Sequence, residues 1–121
     1  MNFIRKQLFW AGLLAAAVGA IHLYADGPLR VSEEELMKAA TTKVKPIFPS
    51  MARQLHLSGV AQVDVFIDDN GDVEKVEPKS GNPLFTSALA AAVRKWRFTP
   101  FKSDGKPVKA VGPLRMDFAL Q

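Results

Sequence analysis

Cysteine is absent from the 121-residue chain. Thiol nucleophiles, disulfides and cysteine-ligated zinc are excluded with it, which fits an exported domain that folds without redox help. Histidine is nearly absent too, since His22 and His56 are the only two. His22 lies in an apolar N-terminal run and His56 at the end of a short helical pattern. Neither has the Ser, Asp or Glu arrangement of a triad or a metal site. No glycine-rich phosphate loop occurs, and Ser80-Gly81 lacks the Gly-x-Ser-x-Gly frame of a nucleophile elbow. A dominant charge is missing as well. The net charge is +4, but with Arg5 and Lys6 set aside, fourteen cations face twelve acids. That small, interspersed surplus is not a nucleic-acid footprint. No catalytic residue, metal site or cofactor emerges, so the chain does not read as an enzyme.

Two clusters invite chemistry and are better explained by structure. Asp68, Asp69, Asn70 and Asp72 surround Gly71, but placing Gly71 at the sixth position of a calcium loop puts Phe66 at the first. A hairpin tip accounts for all of them. Arg94-Lys95-Trp96-Arg97-Phe98 interleaves cations and aromatics. There Trp96 continues an apolar stripe, while the cations gather at a helix C-terminus, where the dipole favours them.

The chain opens with Arg5 and Lys6, then an uncharged run over residues 8–21, then His22-Leu23-Tyr24-Ala25 before Asp26. A positive start, an apolar core and a small residue describe a signal peptide, cut after Ala25 or Ala20. The competing reading is an anchor over residues 8–25, roughly 27 Å as a helix, just enough for a hydrocarbon core of about 30 Å. Either way the remainder lies outside the cytoplasm. Three parts are expected: residues 1–25 as signal peptide or membrane anchor, 26–44 as a linker with room for a short helix, and 45–121 as the folded domain.

In the linker, Ser32 before Glu33, Glu34 and Glu35 is a helix start. Pro46 and Pro49 hold their surroundings extended, and Ser50 offers a cap for a short helix through Met51, Ala52 and Leu55. Residues 60–67 read as a strand with Ala61, Val63, Val65 and Ile67 on one face. Asn70-Gly71 is a hairpin turn. Residues 73–79 form the return strand, in which Pro78 demands an end, an edge or a bulge. Asn82 caps the clearest helix, with Pro83 at its first position and Leu84, Phe85, Ala88, Leu89, Ala92, Val93 and Trp96 in one stripe. Residues 103–106 are a turn. Leu114, Met116, Phe118 and Leu120 alternate with Arg115, Asp117 and Ala119 as a last half-buried strand. The order predicts an α+β fold: a small antiparallel three-stranded sheet with two helices on one face, αββαβ.

These pieces, in this order, resemble the C-terminal domain of TonB-type proteins over residues 45–120. The resemblance is carried by Pro46-Ile47-Phe48-Pro49 with Ala52, Gly59-Val60, Val65-Phe66-Ile67, Asn70-Gly71-Asp72-Val73 and Ser80-Gly81. Residues 94–100 and Asp104-Gly105-Lys106-Pro107-Val108 complete it. It implies a periplasmic domain that takes up an extended peptide of an outer-membrane receptor as an added strand, within TonB-dependent transport. The docking edge would be Leu114, Arg115, Met116, Asp117, Phe118, Ala119 and Leu120, with Lys45 and Phe48 beside it. An inner-membrane proton-driven motor is implied as a further partner if the chain is anchored. A homodimer through the same edge is the alternative.

Three departures narrow what the resemblance implies. The 19 residues from 26 to 44 replace a long proline-rich spacer and span roughly 65 Å at most. Val18 stands four residues before His22, where the family carries Ser. Pro113, expected just before the docking strand, removes one donor from any ladder there.

Overall fold

The computed structural model describes residues 27–120. The signal or anchor expected over residues 1–25 lies outside the described residues. Among those described, no helix is long and apolar enough to cross a membrane.

Two hydrogen-bonded strands form the middle of the domain. β3 (Gly59–Ile67) buries Ala61, Val63, Val65 and Ile67 completely and alternates them with half-buried or exposed neighbours. That is the period-two pattern of a sheet with one covered face. β3 returns antiparallel as β4 (Val73–Ser80). Asp68 organises the turn between them: its side chain accepts the N–H groups of Asn70 and Asp72, each at 2.9 Å. Gly71 adopts φ 88° in that turn, and a Cβ there would lie 2.0 Å from the Phe98 carbonyl oxygen. The acidic cluster is thus absorbed into a hairpin tip, and Asp72 also pairs with Arg97. Pro78 sits on an edge strand where the register shifts between Gln62 and Val63, so two of its three expected accommodations occur together.

The last strand is longer than its alternation suggested. It covers Ala110–Phe118 and pairs antiparallel with β3 along its full length. Gly112 and Pro113 therefore lie inside it and not before it, and Leu120 lies beyond its end. Three short pairings accompany this strand, here named β8: β2 (Ala40–Thr42) with β5 (Arg97–Phe98), and β6 (Phe101–Ser103) with β7 (Lys106–Val108). The third is β1 (Leu29–Arg30), which runs parallel to β8. The main sheet is consequently four-stranded and mixed, in the order β1-β8-β3-β4, and not the three-stranded antiparallel sheet expected. A two-residue strand with no alternation leaves no periodic signal in a sequence.

The helices close one face around a single core. α1 (Glu33–Ala39) starts at Ser32, whose hydroxyl accepts the Glu35 N–H at 3.1 Å. α2 (Ser50–Gln54) is not capped by Ser50 as expected. Ser50 is its first helical residue, and Pro49 holds the cap position without a side-chain bond. His56 takes φ 54° just after α2, which gives it a turn-making role. α3 (Pro83–Val93) is capped by Asn82, which accepts the Leu84 N–H at 2.9 Å. Phe85, Leu89 and Val93 are buried as expected, and Thr86 and Ala90 join them.

Trp96 falls beyond the helix, in the turn that follows. Its indole N–H donates to the Val44 carbonyl at 2.8 Å and ties the entering chain to the core. Phe85 stacks on Phe118 with centroids 4.9 Å apart, and Phe48 meets Phe85 edge-on at 5.7 Å. Leu36 of α1 is fully buried in the same cluster. Residues 29–42, read from sequence as a linker, pack onto the sheet because β8 offers them an edge to pair with and Gly112 leaves room beside it. A Cβ on Gly112 would come within 2.8 Å of the Val31 side chain.

Candidate functional site

A sheet has two edges, and the two here differ in kind. The β4 edge carries Glu74, Lys75, Glu77 and Lys79, all exposed, around Pro78. Charges and a proline are the usual means of blunting an edge against pairing. The second half of the β8 edge has no proline and carries two exposed charges, Arg115 and Asp117.

The direction of the β8 backbone groups follows from three observed bonds. The Lys109 and Val111 carbonyls accept from Leu29 and Val31 of the N-terminal segment, and the Arg115 N–H donates to the Glu33 carboxylate at 2.6 Å. Odd-numbered residues therefore point their backbone groups away from β3, and even-numbered ones bond to it, as the antiparallel ladder requires. Pro113 falls on the outward set, so its missing N–H takes nothing from the β3 ladder. Beyond Val111, no described strand pairs with this outer side. Apart from the Arg115 N–H, the outward groups of Arg115 and Asp117, and Ala119 just past the strand, have no backbone partner among the described residues.

The expected site residues divide accordingly. Leu114 and Phe118 are buried and serve the core, and Met116 is half-buried against it. Arg115, Asp117, Ala119 and Leu120 are exposed along or beyond the edge. Phe48 lies at the end of this row. With Arg53, Ala119 and Leu120 it lines a cavity of about 300 Å³. The Arg53 guanidinium lies 5.6 Å from the Phe48 ring centroid, a cation–π geometry. Lys45 is placed elsewhere, beside Ile47, Ala88 and Lys95 on the outer side of α3.

Arg53 was not singled out from the sequence. Its only signal was its position one turn into a helix that follows Phe48. Exposed Met51 and Leu55 extend the apolar surface of the same helix. Among the described residues no group of three or more acidic or histidine side chains is placed to hold a metal ion.

A family model of the Gram-negative bacterial TonB protein C-terminal region matches residues 44–120 of this chain. The chain belongs to the TonB C-terminal family. Protein TonB of Vibrio cholerae serotype O1 is 28% identical over 83 residues, which cover 67% of this chain and 33% of that protein. Protein TonB of Yersinia enterocolitica is 36% identical over 61 residues, 49% of this chain and 24% of that one. The similarity thus spans about a third or less of the full length of these TonB relatives. The solution structure of the Pseudomonas aeruginosa TonB C-terminal domain superposes with a TM-score of 0.58 at 25% identity, covering 68% of this chain and 85% of that one. The mixed α+β architecture is that of a TonB C-terminal domain.

Proposed function

We propose that this TonB-family domain binds an extended segment of an outer-membrane receptor, in the periplasm, by adding it as a strand to the outer edge of β8 over residues 115–119. The binding serves TonB-dependent transport and involves no catalysis. The observation that carries the reading is the contrast between the edges: β4 carries Pro78 and four charges, while among the described residues the second half of β8 leaves backbone groups unpaired beside the cavity lined by Phe48 and Arg53. In strand addition the main chain supplies affinity and flanking pockets read alternate side chains. The cavity at Phe48, Arg53 and Leu120 is placed to take one such side chain from the strand's end.

Asp117 provides the test. Its N–H points outward, so Asp117→Pro removes a docking donor and leaves the β3 ladder intact, just as Pro113 does at its own position. Titrating a receptor-derived extended peptide into the labelled chain is expected to shift the amides of residues 115–120. Asp117→Pro should weaken that binding by about tenfold, the equivalent of one lost hydrogen bond. Absence of shifts for every candidate peptide would sink the proposal. The alternative, pairing of two copies through the same edge, gives a concentration-dependent doubling of mass by light scattering.

A further inference from the structure

Among the described residues, no strand covers the outer edge of β8 over its second half. Along the first half β1 lies in place as a parallel strand, with Leu29 opposite Ala110 and Arg30 opposite Val111. The Leu29 N–H donates to the Lys109 carbonyl at 2.8 Å, and the Val31 N–H to the Val111 carbonyl at 3.0 Å. Past Val31 the main chain turns away into α1, and a side chain takes over. The Glu33 carboxylate accepts the Arg115 N–H at 2.6 Å. Pro113, between these points, has no N–H to offer. The N-terminal segment thus meets the outward groups of β8 one after another, first as a strand and then with a carboxylate standing in for a strand's carbonyl.

We propose that residues 28–33 are a built-in competitor for the docking edge, which a partner strand running parallel to β8 displaces in order to extend its pairing back from residue 115 towards Lys109. This rests on the strand-docking reading above and adds the regulation of that site. The segment is buried towards α1 and exposed towards residue 27, as a displaceable cover must be. Val31 is 6% exposed and Leu36 fully buried, whereas Gly27, Pro28, Leu29 and Arg30 are all exposed. Displacement frees Val31 from its site along with the tip, while Leu36 stays buried and holds α1 in place. A segment tethered this closely acts at an effective concentration in the ~mM range, so an untethered strand of equal quality loses to it.

The segment's own sequence is the probe: a capped peptide of residues 27–32 added to the ¹⁵N-labelled full chain. Leu29→Pro removes the N–H given to Lys109 and spares Val31 and Leu36. The expected result is that the peptide shifts the Val111 amide in Leu29→Pro at about tenfold lower concentration than in the unsubstituted chain. Equal response in both proteins overturns the proposal, and so does no response in either, because the segment would then have no affinity of its own for the edge.

Should Leu29→Pro not fold, Glu33→Ala tests the same cover. Exchange of the Arg115 amide should then quicken by about tenfold relative to Met116, whose N–H faces β3, while Glu33→Gln, which keeps an acceptor, stays near the unsubstituted rate. An unchanged Arg115 rate in Glu33→Ala overturns the proposal. A receptor peptide that shifts Asp117 and Ala119 equally with and without the substitution at Leu29 leaves docking standing and removes only the competitor.

Discussion

Leu36→Ala is expected to lower the unfolding free energy by about 3 kcal/mol, the usual cost of emptying a fully packed leucine site. Leu36 is 0% exposed, within the same cluster as Phe85, Leu89 and Leu114. Yet it precedes residue 44, where the family match begins. Its burial has a local cause. The Ser32 cap and three acids start α1 immediately after β1, which brings Leu36 to 3.6 Å from where a Cβ on Gly112 would stand. Urea unfolding followed by indole fluorescence measures the change, with Glu34→Ala as a control. Glu34 is exposed and, among the described residues, pairs with Lys38 one turn on, so its loss should stay within about 0.5 kcal/mol. A loss below about 1 kcal/mol for Leu36→Ala would show that α1 is laid on the domain and not part of its core. A chain cut to begin at residue 44 should lose more than Leu36→Ala alone, because it removes buried Val31 as well.

Gly71→Ala should cost about 3 kcal/mol or more, and Gly105→Ala only about 1 kcal/mol, although the two glycines share a backbone class. Gly71 has φ 88° and Gly105 φ 77°. An added Cβ at Gly105 meets nothing within 4 Å, so only the left-handed backbone opposes it. At Gly71 the Cβ would stand 2.0 Å from the Phe98 carbonyl oxygen and 3.0 Å from its carbon. That carbonyl cannot step aside freely, because the neighbouring Phe98 N–H is bonded to the Gly71 carbonyl at 2.9 Å and Phe98 itself is buried. Relief therefore requires β5 to move off the turn. Thermal unfolding of the two variants reads the difference directly, and near-equal losses would show that the turn relaxes away from β5.

How far the sequence discloses the fold depends on the range of each signal. Ala61, Val63, Val65 and Ile67 announce their strand because period two is written into consecutive residues. Asn82-Pro83 and Ser32 announce their helices because capping is settled within three or four positions. Pro78 limits its own strand to an edge. What escaped is what only a distant partner creates. Leu29-Arg30 becomes a strand because β8 lies alongside. Gly112-Pro113 is strand because Val65 and Asp64 face it across the ladder. Trp96 fits the periodic stripe but leaves the helix, since its N–H is drawn to the Val44 carbonyl. The candidate edge was legible as far as alternation carried it, from Leu114 to Phe118. The cover on its first half, and Arg53 at its far end, come from segments that chain proximity does not connect to it.

The parallel pairing of β1 with β8 also bears on the order of assembly. β3, its turn, β4 and α3 are consecutive in the chain, so their contacts close short loops and form early. β8 then joins β3 across α3 and the β6–β7 hairpin. β1 pairs with β8 from the opposite end of the described chain and closes the longest loop of all. Pulse-labelled hydrogen exchange during refolding should accordingly protect the Asp64 and Phe66 amides, which face β4, before that of Val31. Until β1 arrives, the whole outer side of β8 is open to any extended chain nearby, so the late step is also the one at which a newly made molecule is most exposed to mispairing.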